Sequence, residues 1–275
     1  MGNIFKMSNN IITIEGSPKE IAEFCNSLDI NKYSLSIKLN NKTIDDEDDK
    51  IRATLEKNDE ALANKDLTCK FANRNDRELD LSKLDTSKAI DMFSMFSRNI
   101  NLKSLDLSNF NTKKVTTMKG MFNYCEKLDS LDLSSFNTSK VTDMSEMFCE
   151  CYSLYSLDLS SFDTSNTTDM TFMFYACGFK SLDISNFDFS AVTDVNYMFN
   201  QCSSLTDLKF GKNLKVNIDM HWCPLTHESA LSVINGLAKV KEQEILWLNK
   251  KTYTTLSKEE IKKAEDIGWT ITYFY

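Results

Sequence analysis

An α/β repeat array flanked by two non-repetitive units is what the sequence predicts, and three observations predict it. The phrase LDLS or a close variant begins at Leu79, Leu105, Leu131, Leu157 and Leu182, with a degenerate copy at Leu208, so the intervals are 26, 26, 26, 25 and 26 residues. Apolar residues keep the same offsets in every copy. Both flanks abandon the repeat and read as mixed strand and helix. A period of about 20 to 29 residues with leucines at fixed offsets marks a leucine-rich-repeat solenoid with a parallel sheet, in which one coil cannot bury its apolar side without its neighbours. The expected organisation is an N-terminal α+β unit and linker helix over 1–72, the array over 73–215 and an α/β cap over 216–275.

In the N-terminal unit, NIITIEG and KYSLSIKLN alternate as strands do, around a helix that Ser17-Pro18 starts and that turns Ile21, Phe24 and Leu28 inward. The run DDEDD from Asp45 to Asp49 lacks the spaced glycine of a calcium loop and reads as a solvated helix start or loop, with a helix following from about Asp48 to Asn64.

Within the repeat, Leu128, Leu131 and Leu133 form an L-x-x-L-x-L pattern whose alternating end is the half-buried signature of a short strand. One strand per coil makes a parallel sheet. The inward positions continue as Phe110, Phe136, Phe162 and Phe187, with Leu84 in that place in the first coil, and predict a stacked spine. In VTDMSEMF, Val141, Met144, Met147 and Phe148 are spaced as one or two helical turns need, and Asp143 with Glu146 is similar to a capping box. Two prolines and seven glycines leave the turns to Asn, Asp, Ser and Thr side chains.

In the C-terminal cap, Thr226 is placed to start a helix running to about Ala238 with Leu231, Ile234 and Leu237 on one face. EILWLNK reads as a strand, Ser257 with Glu260 forms a capping box, and Gly268 ends a second helix before the strand WTITYFY.

The consensus L-x-S-L-D-L-S-x-F-x-T-S-x-V-T-x-M-x-x-M-F-x-x-C resembles the BspA-type leucine-rich repeat of bacterial surface proteins, phage-associated proteins and some protists, over about residues 79 to 210. LTHESALSVINGLA with LSKEEIKKAEDIGWTIT is similar to the unit that commonly closes such arrays. The resemblance implies a curved solenoid for protein recognition, with no catalytic residues to carry over and adhesion as the usual role of surface members.

Charge narrows the function classes. Acidic residues outnumber basic ones by 40 to 32, a net charge of −8, which opposes nucleic-acid binding. No apolar run reaches the roughly 18 to 20 residues of a membrane span, and MGNIFKMSNN lacks the apolar stretch of a signal peptide. Gly2 alone does not make a myristoylation signal, since Lys6 stands where Ser or Thr is wanted. The expectation is a cytoplasmic protein, with a surface or secreted one as the alternative.

Candidate site residues fall into four groups. Cys125, Cys151, Cys177 and Cys202 share one repeat offset and read as buried thiols rather than a metal or redox centre, while Cys25, Cys69, Cys149 and Cys223 fall outside that column. His221, Cys223 and His227 supply too few ligands for a zinc tetrahedron, so neither a metal nor another cofactor is expected. Asp80, Asp106, Asp132, Asp158 and Asp183 line up with Ser108, Ser134, Ser160 and Ser185 on the exposed sheet face. Carboxylates stacked about 5 Å apart repel, by about 1 kcal/mol in water, so the ladder needs hydrogen bonds or a basic partner surface. Tyr124, Tyr152, Tyr155, Phe172, Tyr175 and Tyr197 occupy offsets where sister coils carry small or polar residues, which suits protein contact. The expected function is non-enzymatic binding of a protein partner, as an inhibitor, immunity factor or antagonist of a host protein. The alternatives are a surface adhesin and, less favoured, a metal-dependent enzyme using the His221 cluster.

Overall fold

The structure is a computed structural model that describes residues 66–274 throughout and, before them, the backbone of residues 6–8, 11–14 and 34–37. The chain divides into two compact units, Met1–Asn64 and Lys65–Tyr275. In the first unit, β1 (Lys6–Ser8) pairs antiparallel with β2 (Ile11–Ile14), and β2 pairs parallel with β3 (Ser34–Ile37). The helices expected from Ser17 and from Asp48, and the acidic run at Asp45–Asp49, lie outside the described residues.

The second unit starts earlier than residue 73. Asp66 already pairs in parallel with Asp91, and the Phe71 ring stacks on Phe96 with centroids 5.6 Å apart, so this stretch is one further repeat without an LDLS phrase. The same bridge position then links Asp91 to Thr117, Thr117 to Asp143, Asp143 to Asp169 and Asp169 to Asp194.

After each bridge the backbone alternates between two kinds of hydrogen bond. Met144, Glu146, Phe148 and Glu150 donate their N–H groups to the carbonyls of Asp169, Thr171, Met173 and Tyr175 in the next repeat at 2.8–3.0 Å. Between them, Met147, Cys149 and Cys151 bond three residues back within their own repeat. The alternation goes with left-handed residues four apart, φ being 59° at Glu146 and 60° at Glu150. Here the expected helical turns are replaced. Val141, Met144, Met147 and Phe148 are fully buried as their spacing implies, but consecutive turns and left-handed residues aim half of the N–H groups at the neighbouring repeat. The capping box at Asp143 is likewise absent: Asp143 Oδ1 accepts from Ser145 N–H at 2.9 Å, and the Glu146 carboxylate accepts from Asn123 Nδ2 of the previous repeat at 3.0 Å.

The LDLS stretch forms regular strands in two places, β4 (Ser181–Asp183) and β5 (Asp207–Lys209), which pair in parallel. Earlier repeats are tied here by single bonds such as Asp129 N–H to the Lys103 carbonyl at 3.1 Å. The serine two residues after each ladder aspartate turns its N–H back onto that aspartate, in β4 as in the earlier repeats.

Turn chemistry follows the shortage of glycine and proline. Short polar side chains accept the N–H two residues on, as Asp132 does from Ser134, Asn137 from Ser139 and Asp143 from Ser145, with the Thr117 hydroxyl taking the third place in its repeat. Buried threonines add rungs between repeats. Thr138 Oγ1 accepts from Asp163 N–H and donates to the Asp163 carbonyl, both at 2.8 Å.

Two aromatic columns fill the core. Phe71, Phe96, Phe122, Phe148, Phe174 and Phe199 stack at 5.6–5.8 Å, each nearly parallel or gently tilted to the next. Phe110 with Phe136, and Phe162 with Phe187, stack in the second column at 6.2 and 6.4 Å. Burying a ring of this size supplies about 1.5–3 kcal/mol.

The C-terminal part is continuous with this core. Strands β6 (Ile218–Met220), β7 (Glu244–Leu248) and β8 (Trp269–Tyr273) pair in parallel in that order. Helix α1 (His227–Gly236) is capped by Thr226, and its Ser229 and Ser232 hydroxyls accept the N–H groups of Leu208 and Phe210 at 2.9 Å, which closes the free edge of β5. Helix α2 is Lys250–Tyr253, and α3 (Lys258–Glu265) carries the reciprocal Ser257–Glu260 capping box. The Trp269 ring is buried, with Nε1 donating to the Ala238 carbonyl at 2.8 Å.

Candidate partner-binding surface

The exposed side of the LDLS stretch carries a groove of about 720 Å³ whose walls include Leu131, Tyr155, Leu157, Asp158, Lys180, Asp183 and Asn186. Alternation builds it. Leu133, Leu159 and Leu182 point into the core, so Asp132, Asp158 and Asp183 face solvent. Tyr155 stands at one side with 65% of its surface exposed.

The aspartate ladder is held by its own turns. Asp106 Oδ1 accepts from both Ser108 Oγ (2.6 Å) and Ser108 N–H (3.0 Å), and Asp158 Oδ1 accepts from Ser160 N–H (2.9 Å). The serine bonds hold the carboxyls of Asp106, Asp132 and Asp158 below the usual range, against an opposing push from neighbouring aspartates at Asp132 and Asp158. In the next repeat the ladder position is Lys209, which pairs in register with Asp183 and donates Nζ to Asp183 Oδ2 at 2.8 Å. Lys209, then Ser185, pull the Asp183 carboxyl down to about 2. The turn bonds occupy Oδ1, and the Lys209 contact shows the geometry in which Oδ2 accepts a cation.

The six aromatic candidates are not one cluster. Phe172, Tyr175 and Tyr197 meet: Phe172 and Tyr197 stack at 4.8 Å, and Tyr175 lies 5.4 Å from Phe172 at 56°. Tyr124 lies beneath the Arg98 guanidinium, 5.0 Å from the ring centre. Burial, then the charge of Glu150, push the Tyr124 hydroxyl up to about 12. Tyr152 donates its hydroxyl hydrogen to Glu150 Oε2 and is 46% exposed, and Tyr155 belongs to the groove.

Sequence reasoning missed what places these rings. Tyr124, Phe172 and Tyr197 occupy left-handed positions with φ of 58°, 55° and 60°, in columns where other repeats carry Ser94, Arg98, Gly120, Glu146, Glu150, Ala176 and Gln201. Gly120 and, one repeat before Arg98, Asn73 are the residues in these columns whose type suits such a backbone. Lys209 and Arg98 were legible as the residues sharing an offset with Asp183 and Tyr124.

The thiols form a longer column than their spacing implies. Cys125, Cys151, Cys177 and Cys202 donate to the carbonyls of Phe96, Phe122, Phe148 and Phe174 at 3.0–3.2 Å. Cys223 continues the series by reaching the Phe199 carbonyl at 3.5 Å, although its sequence interval is irregular because the chain is already entering β6 and α1. In the first repeat Asn99 takes the place, donating Nδ2 to the Phe71 and Phe96 carbonyls. Burial pushes the Cys125 thiol up to about 12 and raises those of Cys149, Cys151 and Cys177 as well.

His221, Cys223 and His227 do not converge. His221 Nδ1 is 2.6 Å from Asp219 Oδ1, His227 Nε2 is 3.3 Å from Glu260 Oε1, and the buried Cys223 faces Phe199. Among the described residues no three His, Cys, Asp or Glu side chains are grouped to hold a metal ion. No helix among them is long and apolar enough to cross a membrane.

The fold and surface define a class of protein: repeats stacked edge to edge around stacked phenylalanines, continued by an α/β segment and bearing an acidic, aromatic face. A family model described as "Mycoplasma protein of unknown function, DUF285" matches residues 65–180 and 130–221, together more than half of the chain. The chain belongs to this family. No curated protein and no solved structure matches it.

Proposed function

We propose that the stacked repeats form a leucine-rich solenoid of BspA type whose work is non-enzymatic binding of a protein partner. The observation that carries this reading is the groove in which Tyr155 and the carboxylates of Asp158 and Asp183 stand together on the solvent face. A rigid core of stacked rings presents these groups at fixed positions, so little ordering entropy opposes association. The acidic ladder favours a partner with a basic surface, and Lys209 on Asp183 is the internal example of that contact. Binding then acts by occupancy: the partner is blocked or recruited. The net charge of −8 speaks for the same partner class and against nucleic acid. We place the protein in the cytoplasm as an inhibitor, immunity factor or antagonist of a host protein, with a surface interaction module as the second reading, carried by the repeat's likeness to surface proteins.

Affinity capture from the native host, followed by mass spectrometry, tests the proposal. The same capture is made with Asp132→Lys/Asp158→Lys and with Tyr152→Ala/Tyr155→Ala, each checked for an unchanged melting curve. A protein retained by the wild type and lost from both variants is the expected result. Survival of every captured protein in both variants removes the proposed surface.

A further inference from the structure

We infer that the ring group Phe172, Tyr175 and Tyr197 receives an arginine side chain from a basic protein partner. The inference rests on the protein-binding reading above and names the chemistry of the contact. Phe172 and Tyr197 hold left-handed positions one repeat apart, with φ of 55° and 60°. A bulky residue in that conformation is strained, and Gly120 shows that the column accepts a residue with no side chain. The core does not need these rings, because Phe174 and Phe199, two residues further on, supply its fully buried stack. Tyr197 instead keeps 52% of its surface in water.

The surroundings select a cation. The Glu150 N–H bonds the Tyr175 carbonyl at 2.8 Å, and its carboxylate also accepts from the Tyr152 hydroxyl; Glu146, at the left-handed position one repeat before Phe172, accepts from Asn123 Nδ2 and lies 3.8 Å from Lys119 Nζ. Burial, then the charge of Glu150, raise the Tyr175 hydroxyl above its ordinary range, so the carboxylate is felt at the ring. The same face already contains a filled example, Arg98 over Tyr124 at 5.0 Å, built from two left-handed positions one repeat apart. In the repeats of Phe172 and Tyr197 the residues at the Arg98 offset are Ala176 and Gln201, neither of them a cation. Among the described residues the cation–ring contacts fall on Phe71, Tyr124 and Tyr273 and none on this group. A planar guanidinium suits stacked rings flanked by a carboxylate better than a hydrated ammonium does.

The test uses the full chain and two probes, a hexa-arginine and a hexa-lysine peptide, with binding read by calorimetry. Hexa-arginine is expected to bind the more tightly of the two. Phe172→Gly/Tyr197→Gly, which suits the backbone at both positions, should raise its Kd roughly three- to tenfold with little change in melting. Phe172→Leu/Tyr197→Leu keeps apolar bulk without the ring face and should weaken binding as well. Asp158→Asn/Asp183→Asn should leave the preference for arginine in place. Equal binding by wild type and both ring variants overturns the inference, as does an absence of hexa-arginine binding. If only the aspartate variant loses the peptide, the inference falls while the acidic groove stands.

Discussion

Thr112 Oγ1 accepts the Asn137 N–H at 2.7 Å and returns its own hydrogen to the Asn137 carbonyl at 2.9 Å, one repeat further on. Thr86, Thr138 and Thr164 make the same reciprocal pair with Asn111, Asp163 and Asp188, all from buried positions. Thr112→Val keeps the shape and removes both bonds, leaving the Asn137 N–H and carbonyl without that partner. The expected loss is about 0.5–1.5 kcal/mol in chemical denaturation, with Thr112→Ser recovering most of it. An unchanged midpoint for the valine variant would show that the rung contributes nothing.

At the end of the acidic ladder, Lys209 holds Asp183 down at about 2, with Ser185 helping. The sign follows from the depression. Stabilisation by this carboxylate is present above the unfolded value near 3.8 and is lost as pH falls toward 2. Lys209→Ala should move the Asp183 titration upward in carboxyl NMR while leaving Asp106, which relies on Ser108, where it was. A titration of Asp183 that ignores the substitution contradicts the pairing.

Much of this architecture was legible in the chain, and the illegible part has one cause. The period, the Phe110 to Phe187 column and the caps at Thr226 and Ser257 all rest on side-chain patterns that the sequence displays directly. The left-handed columns do not, because residues as different as Ser94, Glu146, Phe172 and Gln201 occupy them. Their backbone is imposed by hydrogen bonds to the next repeat, a tertiary demand that overrides local propensity. For the same reason Met144, Met147 and Phe148 mimic helical spacing without a helix. The aromatic surface was legible as a set of odd residues, but its division into the groove at Tyr155, the Arg98–Tyr124 pair and the Phe172 group depends on contacts between repeats.

The buried thiols predict a pattern of reactivity. Burial keeps Cys125, Cys151 and Cys177 protonated well beyond neutral pH, the Cys202 contact and then burial do the same for Cys223, and only the thiolate attacks an alkylating reagent. Among the described cysteines, Cys69 alone is partly exposed. Iodoacetamide at pH 8 should therefore label Cys69 in the native protein and reach the column only after denaturation, as read by peptide mass spectrometry. Raised values also set an alkaline limit. Their contribution is fully present below the unfolded thiol value near 9 and is lost as pH rises through the folded values, so the melting temperature should fall from about pH 9 upward. Rapid native labelling of Cys151 would contradict the burial.

Gly178 sits where the repeat is one residue short, between Cys177 and Phe179, and the missing residue draws the chain against its neighbour. A Cβ there would lie 2.2 Å from the Tyr152 carbonyl oxygen and 3.3 Å from Tyr155 Cδ1. Backbone does not yield as a side chain does, so Gly178→Ala must shift the segment that carries Tyr152 and Tyr155, at about 1–3 kcal/mol. Gly120→Ala meets a milder obstacle, a left-handed φ of 59° and the rotatable Ser94 hydroxyl at 3.0 Å, and should cost about 1 kcal/mol. The order of the two losses is the decisive measurement. Because the larger one also displaces Tyr155 at the groove, Gly178→Ala should weaken partner capture more than Gly120→Ala at temperatures where both variants remain folded.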